Sequence, residues 1–102
     1  MSEYKSIKED VLKKLETNLP EIRKRFGIET IGIFGSVARG EDLPDSDVDI
    51  VFSFQTGKVS LDNFLDLADY LENLFSKKVD LIPDDGISPY LRQIISKEVV
   101  LV

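Results

Sequence analysis

Thr30-Ile31-Gly32-Ile33-Phe34-Gly35-Ser36-Val37-Ala38-Arg39-Gly40, and beyond a polar loop Asp47-Val48-Asp49-Ile50-Val51-Phe52-Ser53-Phe54, is the stretch that decides the fold. Thr30–Phe34 is short, apolar and β-branched, which predicts a buried strand. Gly35 to Gly40 reads as a turn opening a short helix. Glu41 to Ser46 is polar and contains Pro44, so it is loop. From Val48 to Phe54 every second residue (Val48, Ile50, Phe52, Phe54) is apolar, the period of a strand with one buried face.

Moving outward, Ile7, Val11, Leu15, Leu19, Ile22 and Phe26 recur at helical spacing. They predict an amphipathic helix, broken or restarted near Pro20 and capped by Gly27. Downstream, Ser60 is placed to cap a helix that turns Leu61, Phe64, Leu65, Ala68, Leu71 and Phe75 inward, closed by Lys77 and Lys78. Its acidic residues Asp62, Asp66, Asp69 and Glu72 read as a solvated face. Val79-Asp80-Leu81-Ile82 is a third strand. Ser88-Pro89 starts another helix, with Leu91, Ile94 and Ile95 as its buried side. The tail Val99–Val102 is apolar and expected to pair or pack. Helix, strand, strand, helix, strand, helix is the order of an α/β sandwich around a single sheet, and 102 residues are enough for one domain.

Composition removes several kinds of chemistry. With no cysteine and no histidine, disulfides, the usual zinc sites, cysteine nucleophiles and Ser-His-Asp triads are excluded. No apolar run approaches the roughly 20 residues of a membrane span. Met1–Lys5 lacks the apolar core of a signal peptide, so a cytoplasmic protein is expected. The net charge of -6 opposes broad binding to nucleic acid, which needs a basic footprint.

Carboxylates are what remain. Asp47 and Asp49 are two apart at the head of a strand, and such side chains share a face. Two anions ~6 Å apart repel by roughly 3 kcal/mol at an effective dielectric of 20. A divalent cation between them removes that cost, and hard oxygen ligands suit magnesium or manganese. A solvated acidic turn is the alternative, since Asp42, Asp45 and Asp47 lie among turn formers. It fits Asp47 better than Asp49, which interrupts an apolar strand. An EF-hand fails at Ile50, where that loop needs glycine, and at Thr56, where it needs glutamate. Asp80 also interrupts a strand fit for burial, and reads either as a further site carboxylate or as a strand end reaching solvent. Gly35-Ser36 at a strand-to-helix turn could approach a phosphate through glycine backbone, serine hydroxyl and free N–H groups. It is neither a Walker A loop nor a dinucleotide fingerprint. Arg39 is a phosphate contact or an ordinary exposed helix arginine.

Taken together, Gly35-Ser36 followed by Asp47-Val48-Asp49 resembles the signature of the DNA polymerase beta-like nucleotidyltransferase superfamily. Gly35-Ser36-Val37-Ala38-Arg39-Gly40 with Ser46-Asp47-Val48-Asp49 is similar to its minimal nucleotidyltransferase branch, the MNT-type antitoxins. The likeness runs from Phe26-Gly27-Ile28 through to Lys78-Val79-Asp80-Leu81. It implies a small, single-sheet, polymerase beta palm-like domain with flanking helices. It further implies that the Gly35-Ser36 loop holds the phosphates of ATP, with Arg39 a candidate contact beside it, that Asp47 and Asp49 bind two magnesium ions, and that Asp80, the third carboxylate and a further metal ligand, helps activate the acceptor hydroxyl. The expected partner is a HEPN-domain toxin, modified by AMP on a tyrosine. Three rival functions stand beside this one: an interaction module that neutralises its partner by binding, a transferase acting on a small-molecule hydroxyl, and a transferase acting on nucleic-acid ends. The short chain counts against the second and the acidic charge against the third.

Overall fold

The computed structural model describes residues 3–102. Helix α1 (Lys8–Phe26) leads into strand β1 (Ile28–Phe34) and the short α2 (Gly35–Arg39). Strand β2 (Val48–Phe54), α3 (Leu61–Phe75) and β3 (Val79–Pro83) follow, then a 3-10 turn, α4 (Pro89–Glu98) and β4 (Val100–Leu101). The four strands form one sheet in the order β3-β2-β1-β4. β1 is antiparallel to both β2 and β4, whereas β2 and β3 run parallel, joined by the α3 crossover.

The main core fills one face of the sheet. Val11, Leu15, Ile22 and Phe26 of α1 and Leu67, Leu71 and Phe75 of α3 pack on Ile31, Ile33, Val48, Ile50 and Phe52. Both helices are held by local chemistry. Gly27 adopts the left-handed conformation that ends α1, and the Ser60 hydroxyl accepts the N–H of Asn63 to start α3. A smaller core covers the other face, where Phe34 and Val51 meet Ile87 and Ile95.

Several expectations are corrected here. α1 runs through Pro20 without a break. Pro20 and Glu16 both face solvent, where the carbonyl that loses its partner can bond water instead. On α3 the buried stripe centres on Leu67, Leu71 and Phe75, while Leu61 and Leu65 are exposed. Glu72 is not simply solvated: its carboxylate accepts the Val79 N–H at 3.1 Å and so ties α3 to β3. In α4 only Ile95 of the three expected residues is buried, and Leu91 and Ile94 are exposed.

Asp42 also departs from the picture of a solvated turn. At 5% exposure it is the buried charged residue of the described chain. It accepts hydrogen bonds from the Ile7 N–H at 3.1 Å, the Tyr4 hydroxyl at 2.8 Å and the Ser6 hydroxyl. Burial pushes its carboxyl up, but these donors outweigh burial and hold it below the ordinary aspartate range. The loop before β2 is thereby fastened to the start of α1, which has no side-chain cap of its own.

Candidate active site

One end of the sheet gathers the polar residues. Phe34, the last residue of β1, lies opposite Asp49 of β2, and Asp49 lies beside Asp80 of β3. Neighbouring strands are ~4.8 Å apart, so the Gly35 turn, Asp49 and Asp80 stand in a row across three strands. Asp47 sits one residue before β2, half-buried like Asp49, whereas Asp80 is exposed. The structure therefore brings together Gly35, Ser36, Asp47, Asp49 and Asp80.

Gly35 is fixed by two constraints. Its φ of 75° lies in the left-handed region, which disfavours a side chain. A Cβ at this position would also run into Oδ2 of Asp49. The turn and the aspartate thus fit each other only with glycine in place.

Asp49 carries the electrostatic mark of the site. Burial first, then the charge of Asp80 and a hydrogen bond with it, then Asp47 and Glu98, push its carboxyl from 3.8 up to about 6. Burial and neighbouring like charge both oppose the ionised form of this carboxyl. A divalent ion would reverse the balance. The donors are hard oxygens, as magnesium and manganese require. Among the described residues, no group of three or more His, Cys, Asp or Glu side chains is arranged to hold an ion by itself. The donor set fits an ion whose coordination is completed by phosphate oxygens and water, the habit of magnesium.

The family model of the nucleotidyltransferase domain matches residues 9–102. This chain belongs to that family. Protein adenylyltransferase MntA of Thermococcus cleftensis is 39% identical to this nucleotidyltransferase, over 92% of the present chain and 94% of its own length. A solved structure described as a minimal nucleotidyltransferase has a TM-score of 0.78 at 33% identity, covering 91% of this chain and 93% of that one. The fold alone is shared, at 21% identity and a TM-score of 0.57, with a chain from the complex of tri-AMPylated Shewanella oneidensis HEPN toxin and MNT antitoxin. That match covers 92% of this chain and 67% of the other.

Two features of the candidate site are tertiary. Arg39 is engaged by acids, pairing with Glu98 at 2.8 Å and Glu41 at 3.7 Å. Glu98, by sequence an ordinary helix glutamate, also accepts the Gly35 N–H at 2.9 Å. One signal was available. A glutamate in the last turn of a helix opposes the helix dipole, so a partner elsewhere is to be expected. An apolar cleft of about 330 Å³ beneath α4, lined by Val51, Ile87, Ile95 and Val99 among others, contains none of the site aspartates. No helix among the described residues is long and apolar enough to cross a membrane.

Proposed function

We propose that this nucleotidyltransferase moves AMP from ATP to a hydroxyl of a partner protein, a tyrosine of a HEPN-type toxin, in a reaction that depends on magnesium or manganese. The observation that carries the reading is the row of Gly35 turn, Asp49 and Asp80 across β1, β2 and β3. Such a row has a donor end and an acceptor end. At the donor end, the Ser36 hydroxyl and the turn amides beyond Gly35, whose own N–H is taken by Glu98, face the outer phosphates of ATP, with Arg39 beside them. Asp47 and Asp49 would hold the metal, which when bound neutralises the phosphate charge and polarises the α-phosphoryl group. Asp80, exposed on the far side of Asp49, receives the proton of the attacking hydroxyl. The new bond forms between that oxygen and the α-phosphorus, the bond to the bridging oxygen breaks, and pyrophosphate departs.

A protein acceptor is supported by three considerations. Asp80 is open to solvent, so the acceptor end is accessible to a docking surface. The charge of -6 disfavours tracking nucleic acid. Likeness to a protein adenylyltransferase supports both the AMP unit and the class of acceptor. The HEPN partner rests on the shared fold with the MNT antitoxin complex. Intact-mass spectrometry of the partner co-expressed with this chain should show added AMP, lost with Asp49→Asn. An unmodified partner neutralised equally by wild type and variant would refute transfer and favour neutralisation by binding.

A further inference from the structure

Glu98 lies 63 residues from Gly35 in sequence, yet its two carboxylate oxygens divide between two groups of the nucleotide turn. Oε1 accepts the Gly35 N–H at 2.9 Å, and Oε2 accepts from Nη1 of Arg39 at 2.8 Å. An ordinary surface ion pair would explain the second contact and contributes little to stability. It would not explain the first. The Gly35 N–H belongs to the residue whose φ is 75° and whose bare Cα face accommodates Asp49. The anchor of the carboxylate is equally well defined. Ile95, three residues before Glu98 on α4, is buried against Phe34 and Val51, and Phe34 immediately precedes Gly35. Val99 donates its N–H to the Ile95 carbonyl at 2.8 Å, which closes the helix just beyond Glu98. The glutamate side chain is only 19% exposed. A packed helix end thus presents one carboxylate to the turn that faces the phosphates.

We infer that Glu98 is the positioning residue of the nucleotide turn, holding the Gly35 peptide and the Arg39 guanidinium in the arrangement that receives the triphosphate and seats Asp49. The inference rests on the transfer reading for its kinetic consequence, but not for its structural one. Length and acceptor geometry matter here more than charge, which separates three substitutions. Glu98→Ala removes both contacts. Glu98→Asp keeps the charge but withdraws the carboxylate by one methylene, so it cannot reach both partners. Glu98→Gln keeps an acceptor oxygen at the right distance for the Gly35 N–H, but its NH2 cannot accept from Arg39.

The test combines kinetics of AMP transfer with amide exchange of the metal-free, nucleotide-free protein followed by NMR. Glu98→Ala and Glu98→Asp should each lower kcat/KM for ATP by roughly tenfold to a hundredfold, the range for a hydrogen bond to a charged acceptor. Glu98→Gln, which keeps the Gly35 contact and loses the one to Arg39, should be impaired several-fold less than either. The Gly35 amide should exchange at least about tenfold faster in the Ala and Asp variants and near the wild-type rate in Gln, tracking the lost hydrogen bond. If Glu98→Ala does not fold, the Asp and Gln pair decides the matter. Equal impairment of Gln and Asp, or wild-type kinetics in both, would overturn the inference. If wild type transfers no AMP at all, the functional reading fails on its own. Exchange at Gly35 then decides the positioning role, and a rate unchanged in Glu98→Asp overturns it.

Discussion

Replacing Asp49 by asparagine should make the metal-free protein more stable at neutral pH while ending its activity. In the folded chain the carboxyl titrates at about 6 in place of 3.8, because burial and the acids Asp80, Asp47 and Glu98 oppose its charge. A folded-state value above the unfolded one means that the folded protein binds this proton more tightly. The associated stability is present below pH ~4 and is lost as pH rises through ~6. A rise from 3.8 to about 6 amounts to roughly 3 kcal/mol if fully expressed. Asp49 is only half-buried, and solvent screening reduces the figure to ~1 kcal/mol. Asparagine is nearly isosteric and carries no charge, so the penalty disappears. For a domain of this size ~1 kcal/mol corresponds to ~4–8 °C in Tm. Thermal melts followed by circular dichroism in chelator should show Asp49→Asn above wild type by about that much at pH 7.5, with the two converging near pH 4. Added magnesium should raise the wild-type Tm more than that of the variant, since a ligand stabilises the state that binds it. A variant that melts below wild type at pH 7.5 would make Asp49 a structural residue and refute the reasoning. So would an advantage undiminished at pH 4.

Asp42→Ala should cost about 2 kcal/mol, because it strips three donors of a charged acceptor. The carboxyl is held below its ordinary value, so its contribution is present above the unfolded value and fades as pH falls through the folded one. The gap between wild type and Asp42→Ala in chemical denaturation should therefore narrow on acidification. Gly35→Ala should lose at least ~1 kcal/mol from the left-handed backbone, and should lose transfer more severely than stability because it displaces Asp49. A variant with wild-type transfer would show that the turn is not part of the site. Asp80→Asn should keep ATP affinity by calorimetry and lose transfer rate, as expected of the acceptor end. Matched losses of affinity and rate would move Asp80 to the donor end.

The strands and the helix starts were legible because their signals are local. Val48–Phe54 forms a strand, Ser60 and Ser88 cap the helices that follow them, and Gly27 ends α1, all as expected. β2 nevertheless buries Val51 as well as the Val48, Ile50 and Phe52 face, and leaves Phe54 half-buried. The site aspartates were legible for a related reason: a carboxylate interrupting an apolar strand conflicts with its own neighbourhood. What sequence did not supply was tertiary. Leu61 and Leu65 fit a helical face as well as Leu67 and Leu71 do, and only contact with the sheet selects the second pair. Val51 is buried because α4 and the turn before it cover the far face of the sheet, which no periodicity within β2 announces. Asp42 and Glu98 look like ordinary surface acids until the chain brings Ile7 and Gly35 to them from 35 and 63 residues away.

The strand order has a consequence for how such a site can change over time. The Gly35 turn and Asp49 come from adjacent antiparallel strands joined by the short segment that carries α2. Asp80 arrives only after the α3 crossover, on a strand paired in parallel with β2. Local pairing closes small loops and forms readily, whereas the parallel partner must wait for the longer excursion. The two ends of the site are therefore encoded in separate stretches of the gene. On the proposed reading, substitutions around β3 bear on the acceptor end and leave the β1-α2-β2 unit, proposed to face the nucleotide, in place. Partner choice and nucleotide chemistry would then be separable by mutation, because they draw on different segments of the chain.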